Sequence, residues 1–173
     1  YYVQDQSLMM YPLNVTEEDW KIAEEMDATL KQLDPNVTLE SEQVIGEIRT
    51  AYDALSWKHK ALVQNVEILE FAEIDLLECK IDAIDEITID SKDFVFGLME
   101  QYNSLPERYQ RYVKNADRLK ELYLAMNEIL DKVEADRVQK MIDAIKNMGE
   151  ITLEKEQDIR DIRAAYEVLT TMQ

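Results

Sequence analysis

The sequence predicts an all-α fold of tandem three-helix-bundle repeats joined by long shared helices, which gives an elongated rod. One observation is composition: only three Gly and three Pro occur in 173 residues, and residues that favour helices are plentiful. The other is a motif that occurs three times, as VTLESEQVIGEIRTAYDAL (37–55), ITIDSKDFVFGLMEQYNSL (87–105) and ITLEKEQDIRDIRAAYEVL (151–169). Repetition of this length is typical of stacked helical units that bury their apolar faces against one another.

The chain before the first motif is predicted to hold an extended lead-in and one helix. Residues 1–15 show no helical period. The helix is predicted to begin after Thr16, because a hydroxyl side chain suits an N-cap and three acidic residues follow it. Negative charge in the first turn is favoured by the helix dipole. The helix is expected to end near Leu33, before Asp34-Pro35-Asn36.

The central helix of each repeat is predicted to follow Thr38, Thr88 or Thr152. Within each, apolar residues recur at spacings of three, four and three, which places them on one helix face. The spacing predicts that Tyr52 and Tyr102 are mostly buried, with the hydroxyl at the rim of the core. The three apolar stripes are Ile45, Ile48, Tyr52 and Leu55; Val95, Leu98, Tyr102 and Leu105; and Ile159, Ile162, Tyr166 and Leu169.

A second pair of related segments follows the first two motifs, SWKHKALVQNVEIL (56–69) and PERYQRYVKNADRL (106–119). Asn65 and Asn115 fall at the same place in both. We interpret each as the N-cap of the next long helix, preceded by a short helical turn. One unbroken helix with an Asn in its middle is the alternative.

The two long helices are predicted to be shared between neighbouring bundles and continuous over 69–86 and 119–147. In each, the apolar stripe moves by five residues, from Leu76 to Ile81 and from Val133 to Val138, a rotation of roughly 140°. Each helix would therefore close one bundle with its first half and open the next with its second. The predicted organisation is a first repeat at 16–76, a second at 74–133 sharing a helix at 61–86, and an incomplete third at 134–173.

Charge and cysteine content exclude several classes of protein. With 19 basic and 37 acidic residues, the net charge is −18, which disfavours binding to nucleic acid and to anionic membranes. No segment reaches the ~18 apolar residues of a membrane span, and no signal peptide is visible. Cys79 is alone and is predicted to be a small buried hydrophobe. Because the chain begins at Tyr1 and stops within the third repeat, we expect it to be a piece of a longer protein.

The sequence offers little for catalysis. His59, the single histidine, lies beside Trp57, and Tyr109 takes its place in the second copy. No acid or nucleophile recurs with it, so we predict a surface helix residue rather than a catalytic base. No Gly-rich phosphate loop, metal-spaced Cys/His set or nucleophile elbow occurs. We therefore predict a protein that is not an enzyme, with no catalytic or cofactor-binding residues and no cofactor.

No metal site is predicted either. The densest group of acids lacks the alternating oxygen ligands and the Gly of an EF-hand loop, and weak Ca²⁺ association is the alternative. The matches to the N-glycosylation sequon at Asn14-Val-Thr16 and Asn36-Val-Thr38 coincide with predicted helix caps, and capping is the preferred explanation. The acids of the group are Asp82, Asp85, Glu86, Asp90 and Asp93.

The motif T-L-E…I-R-x-A-Y-[DE]-x-L, followed by K-A-L-V-x-N-x-x-x-L at 60–69, resembles a helical repeat of large secreted and wall-anchored surface proteins of Gram-positive bacteria such as clostridia. The resemblance covers about residues 17–173, and the second copy departs from it with Phe94, Phe96 and Gln101. It implies three-helix units in a stalk or adhesin at the cell surface or in the extracellular medium, and it carries no catalytic residues.

Two functions follow as hypotheses. The first is a non-catalytic stalk or spacer that projects another domain from the bacterial surface, as a monomer without nucleic acid or membrane insertion. The alternative is a host-protein-binding module, immunoglobulin-binding or adhesin-like, in which exposed helix faces contact a host or cell-surface protein. A shared exposed aromatic or arginine patch would favour binding. Trp57 aligns with Glu107 and His59 with Tyr109, so no shared patch is evident and the stalk is preferred.

Overall fold

The computed structural model describes residues 14–149 and 155–170, and all regular structure in these ranges is helical, which confirms the all-α prediction. Most of the predicted lead-in and the start of the third motif, including Thr152, lie outside the described residues. Two 3-10 turns precede α2 and α5, at Leu39–Ser41 and Ile89–Ser91. The helices are α1 (Glu17–Leu30), α2 (Glu42–Asp53), α3 (Trp57–Lys60), α4 (Val66–Asp82), α5 (Lys92–Ser104), α6 (Glu107–Gln110), α7 (Ala116–Asn147) and α8 (Glu156–Thr170).

The described chain divides into two units. Unit 1 comprises residues 14–86 and 96–120, and unit 2 comprises 87–95, 121–149 and 155–170. The two long helices α4 and α7 therefore have different settings: α4 belongs wholly to unit 1, whereas α7 begins in unit 1 and continues into unit 2.

The predicted helix starts are confirmed where they are described. Thr16 and Asp19 form a reciprocal cap, in which Thr16 Oγ1 accepts from the backbone N–H of Asp19 (3.2 Å) and the Asp19 carboxylate accepts from that of Thr16 (2.7 Å). Thr38, in extended backbone before the 3-10 turn, donates its N–H to Ser41 Oγ (3.1 Å). Such bonds satisfy N–H groups that a helix start leaves without a partner. α1 ends at Leu30, earlier than the predicted Leu33.

Unit 1 has a core formed by α1, α2 and α4. These helices contact one another, and Leu30 and Leu69 are completely buried between them. Burying one such side chain contributes about 1.5–3 kcal/mol, so this cluster holds the three helices together. Its buried members are Ala23, Met26, Leu30, Ile45, Ile48, Leu62, Val63, Leu69, Ala72 and Leu76.

The tyrosines of the first two motifs differ in burial from the tyrosine of the third. Tyr52 and Tyr102 are both half-buried, and Tyr166 is exposed. Tyr52 packs against the margin of the core, where Arg49 and Lys60 lie over its ring at 5.6 and 5.2 Å from the centroid. This position agrees with the predicted burial of most of each ring and with the hydroxyl at the rim of the core, where charged side chains cover the rings of Tyr52 and Tyr102.

The predicted shared helix 61–86 is shorter at both ends, since α4 spans Val66–Asp82. Asn65 is its N-cap residue, and the short helix α3 precedes it. α7 likewise begins directly after Asn115. The interpretation of both Asn residues as helix boundaries is therefore confirmed, and the unbroken alternative is wrong. Continuity over 119–147 is confirmed by α7, whereas 69–86 is helical only as far as Asp82.

The face change predicted in α4 is visible in its burial. Leu69, Ala72 and Leu76 join the core of unit 1, and Ile74, Leu77 and Ile81 are buried as well. α4 thus buries two apolar faces. A helix of this kind is suited to packing on two sides.

Unit 2 contains the later part of α7 and the helix α8. Met126 is fully buried, but further along α7 the apolar residues Val138, Ile142 and Ile145 are exposed. In α8, Ile159 is 37% exposed. The apolar stripe of the third motif is therefore more exposed than those of the first two.

Candidate functional site

The single histidine lies in a cluster of charged side chains within unit 1. α3 places Lys58 and His59 against the first turn of α1, where Lys58 Nζ lies 2.5 Å from Asp19 Oδ2 and His59 Nε2 lies 3.1 Å from Asp19 Oδ1. His59 is half-buried, so the prediction of a plain surface residue was wrong. An acid does accompany it, but that acid lies 40 residues away in the sequence.

The chemistry of this cluster is that of a helix cap. The hydrogen bond from Lys58, followed by those from Thr16, holds the pKa of the Asp19 carboxyl well below its usual range. Both oxygens of Asp19 already accept hydrogen bonds. A carboxylate in this state is a poor proton acceptor, and the cluster ties α3 to the start of α1.

Asp27 is a buried acid that the sequence analysis did not single out. Its carboxylate, in a residue only 8% exposed, accepts from the backbone N–H of Gln64 (3.1 Å) and of Asn65 (2.8 Å). The carboxylate of α1 thus satisfies the free N–H groups where α4 begins, while the Asn65 side chain does not cap. The sequence does carry a signal for the burial of Asp27, since this residue falls within the apolar stripe of Ala23, Met26 and Leu30.

Glu78 has the corresponding role at the start of α7. Its carboxylate accepts from the backbone N–H of Lys114 (2.6 Å) and from Lys114 Nζ (3.1 Å), which raises the pKa of the Lys114 ammonium. The Asn115 amide donates to Glu78 O and to Asp82 Oδ1, both at 2.9 Å. In both places, a carboxylate of an earlier helix accepts hydrogen bonds from backbone N–H groups where the next long helix begins.

An aromatic surface with two arginines lies on unit 1. We name Phe71, Arg108, Tyr109, Arg111 and Tyr112 the aromatic–arginine surface. Phe71 packs edge-to-face on Tyr109 and Tyr112, with ring centroids 6.0 and 5.4 Å apart. Arg108 lies 4.7 Å from the Tyr109 centroid, and Arg111 lies 5.0 Å from that of Tyr112. Such stacking holds flexible guanidinium groups in place.

The aromatic–arginine surface combines exposed rings with two guanidinium groups that are held by tyrosines rather than by acids. Phe71 is 39% and Tyr112 43% exposed. Tyr109 is buried and donates its hydroxyl to Glu70, a hydrogen bond that raises the pKa of the Tyr109 phenol. Arg108 and Arg111 are both exposed, and neither forms an ion pair with another residue of the described ranges.

Sequence reasoning missed this surface because Phe71 is more than 35 residues from the two tyrosines. The string Arg-Tyr-Gln-Arg-Tyr at 108–112 is a partial signal, since its two Arg-Tyr pairs lie three residues apart and share a helical side. The first copy has Lys-His-Lys-Ala-Leu at the matching positions 58–62. The surface is therefore particular to the second copy.

The remaining candidates have structural surroundings. Cys79 is half-buried rather than buried, and its Sγ lies 3.5 Å from Val37 O. Over residues 14–149 and 155–170, no group of three or more His, Cys, Asp or Glu side chains is placed to hold a metal ion. No helix in the same ranges is long and apolar enough to span a membrane.

The chain matches no protein-family model, and it has no significant match among curated proteins or among solved structures. Assignments of function therefore depend on the geometry of the chain itself.

Proposed function

We propose that this chain is a non-catalytic stalk or spacer segment of an extracellular bacterial surface protein, built from tandem three-helix repeats. The observation that supports this best is α7, which is unbroken over 32 residues and so about 48 Å long at ~1.5 Å per residue. Its early residues Ala116, Leu119 and Met126 are buried, whereas Val138 and Ile145 carry an apolar face further along. A helix with two successive apolar faces is suited to joining one bundle to the next.

The order of elements also supports tandem repeats. A 3-10 turn, a helix, a four-residue helix and a long helix follow one another twice, from Leu39 to Asp82 and from Ile89 to Asn147. The start of each long helix is held by an acid of an earlier helix, Asp27 of α1 for α4 and Glu78 of α4 for α7. The same arrangement of an acid and backbone N–H groups at both helix starts favours a single structural unit that occurs twice.

Small-angle X-ray scattering tests the stalk proposal. A compact domain of this length has a radius of gyration of roughly 16 Å. We expect a value well above this and a pair-distance distribution with the long tail of a rod. A profile that fits a compact sphere would contradict the proposal. The measurement at several protein concentrations also tests the proposed monomeric state, since the apparent mass should not rise.

A second candidate function is binding of an acidic protein segment, and the aromatic–arginine surface favours it. Exposed aromatic rings and arginines are enriched where proteins bind each other, and guanidinium groups prefer carboxylates. In a chain of net charge −18, Arg108 and Arg111 are positive charges without an acidic partner in the described ranges. The partner proposed is a segment with carboxylates beside an aromatic residue.

This second candidate is tested with a labelled peptide that carries two Glu residues beside a Phe. We expect saturable binding that weakens about tenfold in Arg108→Ala/Arg111→Ala, since each of the two exposed ion pairs lost is worth ~0.2–1 kcal/mol. Arg137→Ala is the matched control, because Arg137 is an exposed arginine of unit 2. Equal binding by the unmodified chain, the double variant and Arg137→Ala would rule out the aromatic–arginine surface as the binding site.

A further inference from the structure

The helices α2 and α8 carry the same residues on one side. Ile45, Ile48 and Tyr52 of α2 correspond to Ile159, Ile162 and Tyr166 of α8 in the repeated motif. The charged residues beside the stripe correspond as well. Glu42 and Arg49 are matched by Glu156 and Arg163, seven residues apart in both helices. Seven residues are close to two helical turns, so both charges lie on the same side.

In unit 1 these residues hold α4. Ile45 and Ile48 pack in the same core as Leu69, Ala72 and Leu76. Two ion pairs flank this contact: Arg49 donates to both oxygens of Glu73 at 2.6 and 2.5 Å, and Lys80 Nζ lies 2.5 Å from Glu42 Oε1. Because the earlier residue of α2 pairs with the later residue of α4, the helices are antiparallel and the charges determine their register.

In α8 the matching charges form pairs within the helix itself. Arg163 pairs with Glu167 (3.4 Å), and Glu156 pairs with Arg160 (2.6 Å), in both cases with exposed side chains. Ile159 is 37% exposed, whereas Ile45 is 2% exposed. Exposed pairs of this type, four residues apart on one helix, contribute little to stability. They can therefore be exchanged at little cost for pairs to another helix.

We propose that the α8 face of Glu156, Ile159, Ile162 and Arg163 is a docking site for an antiparallel amphipathic helix of the α4 type. The ligand would carry apolar residues spaced as Leu69, Ala72 and Leu76, with an acid at the place of Glu73 and a base at that of Lys80. Charge complementarity selects this ligand, since the acid faces Arg163 and the base faces Glu156. Met141 and Ala144 of α7, which line a groove together with Ile162 in the same unit, supply further apolar area. The inference rests on the tandem-repeat proposal.

The probe is a synthetic peptide of residues 64–82 with Ile74→Gln, Leu77→Gln and Ile81→Gln, which leaves one apolar stripe. Titrated into the full chain and followed by amide NMR, it should shift resonances of 138–145 and 156–166. Ile159→Asp in the chain should weaken binding at least about tenfold, because it places a charge in an apolar contact. Ala164→Asp is the control: Ala164 is exposed on another side of α8, and binding should not change.

A charge exchange tests the register. Arg163→Glu should weaken binding about two- to fivefold, as for an exposed ion pair, and a peptide that also carries Glu73→Arg should restore it. Absence of binding, or binding that Ile159→Asp leaves unchanged, would overturn the inference. Self-association of the chain that Ile159→Asp abolishes would assign the face to a second copy and would also overturn it. A compact scattering profile with normal peptide binding would contradict only the stalk.

Discussion

The helices α2 and α8 present nearly the same apolar stripe and flanking charges, but their surroundings differ. In α2, Ile45 is 2% exposed and Arg49 pairs with a residue of another helix. In α8, Ile159 is 37% exposed and Arg163 pairs within its own helix. The comparison shows that a stripe of apolar residues determines which side of a helix can be buried. Whether that side is buried depends on a third helix elsewhere in the chain.

The largest difference in stability is expected between truncations at matching positions of α2 and α8. Ile45→Ala should lower the free energy of unfolding by about 2–5 kcal/mol, because it removes a buried side chain and leaves a cavity. Ile159→Ala should cost well under ~1 kcal/mol, as for an exposed position. Urea denaturation followed by circular dichroism measures both. Equal losses in the two variants would mean that the two stripes are equally buried.

A smaller but clear loss of stability is expected when Asp27 is replaced. Asp27→Ala removes the acceptor for the backbone N–H groups of Gln64 and Asn65, and buried donors left without a partner cost about 1–3 kcal/mol. Glu24→Ala, at an exposed position of the same helix, is the control and should change stability by less than ~0.5 kcal/mol. If both variants unfold at the same urea concentration, Asp27 does not hold the start of α4.

Truncation of the tyrosine at the rim of the core should lower stability less than truncation of a buried aromatic residue. Tyr52 is half-buried below Arg49 and Lys60, so Tyr52→Ala should cost less than the about 3–5 kcal/mol of a fully buried ring. Tyr52→Phe keeps the ring and should be close to neutral, which makes it the control. Thermal unfolding of the two variants separates loss of the ring from loss of the hydroxyl. A cost in the full range for a buried ring would place Tyr52 inside the core rather than at its rim.

The smallest expected effect is a pH dependence at Asp19. Because the pKa of its carboxyl is lowered in the folded state, its contribution to stability is present above the unfolded value of about 3.9 and is lost as pH falls below it. Asp19→Asn should therefore lower Tm at pH 7, and the difference should shrink toward pH 2. Asp53→Asn, at an exposed acid, is the control. A difference that stays constant over this range would contradict the role of the charge.

Local sequence signals predicted the helix starts, since Thr16 and Thr38 form hydrogen bonds with residues three positions further along the chain. Asn65 marks the boundary of α4 correctly, but the acceptor of its backbone N–H is Asp27, 38 residues earlier. The stripes predicted which residues of α2 are buried, because the periodicity of a helix is set by its own geometry. The aromatic–arginine surface could not be predicted, since Phe71 meets Tyr109 only after α4 and α6 have packed. The contact of Asp19 with His59 likewise depends on how α3 is placed on α1.

Amide hydrogen exchange of α2 and α8 tests the central claim most directly, because it measures the opening of each helix in the intact chain. The amides of 45–52 should exchange only through global unfolding of unit 1. Those of 159–166 should exchange through local opening, orders of magnitude faster, and should slow when the peptide of residues 64–82 is added. Equal protection of the two helices in the absence of peptide would contradict the account.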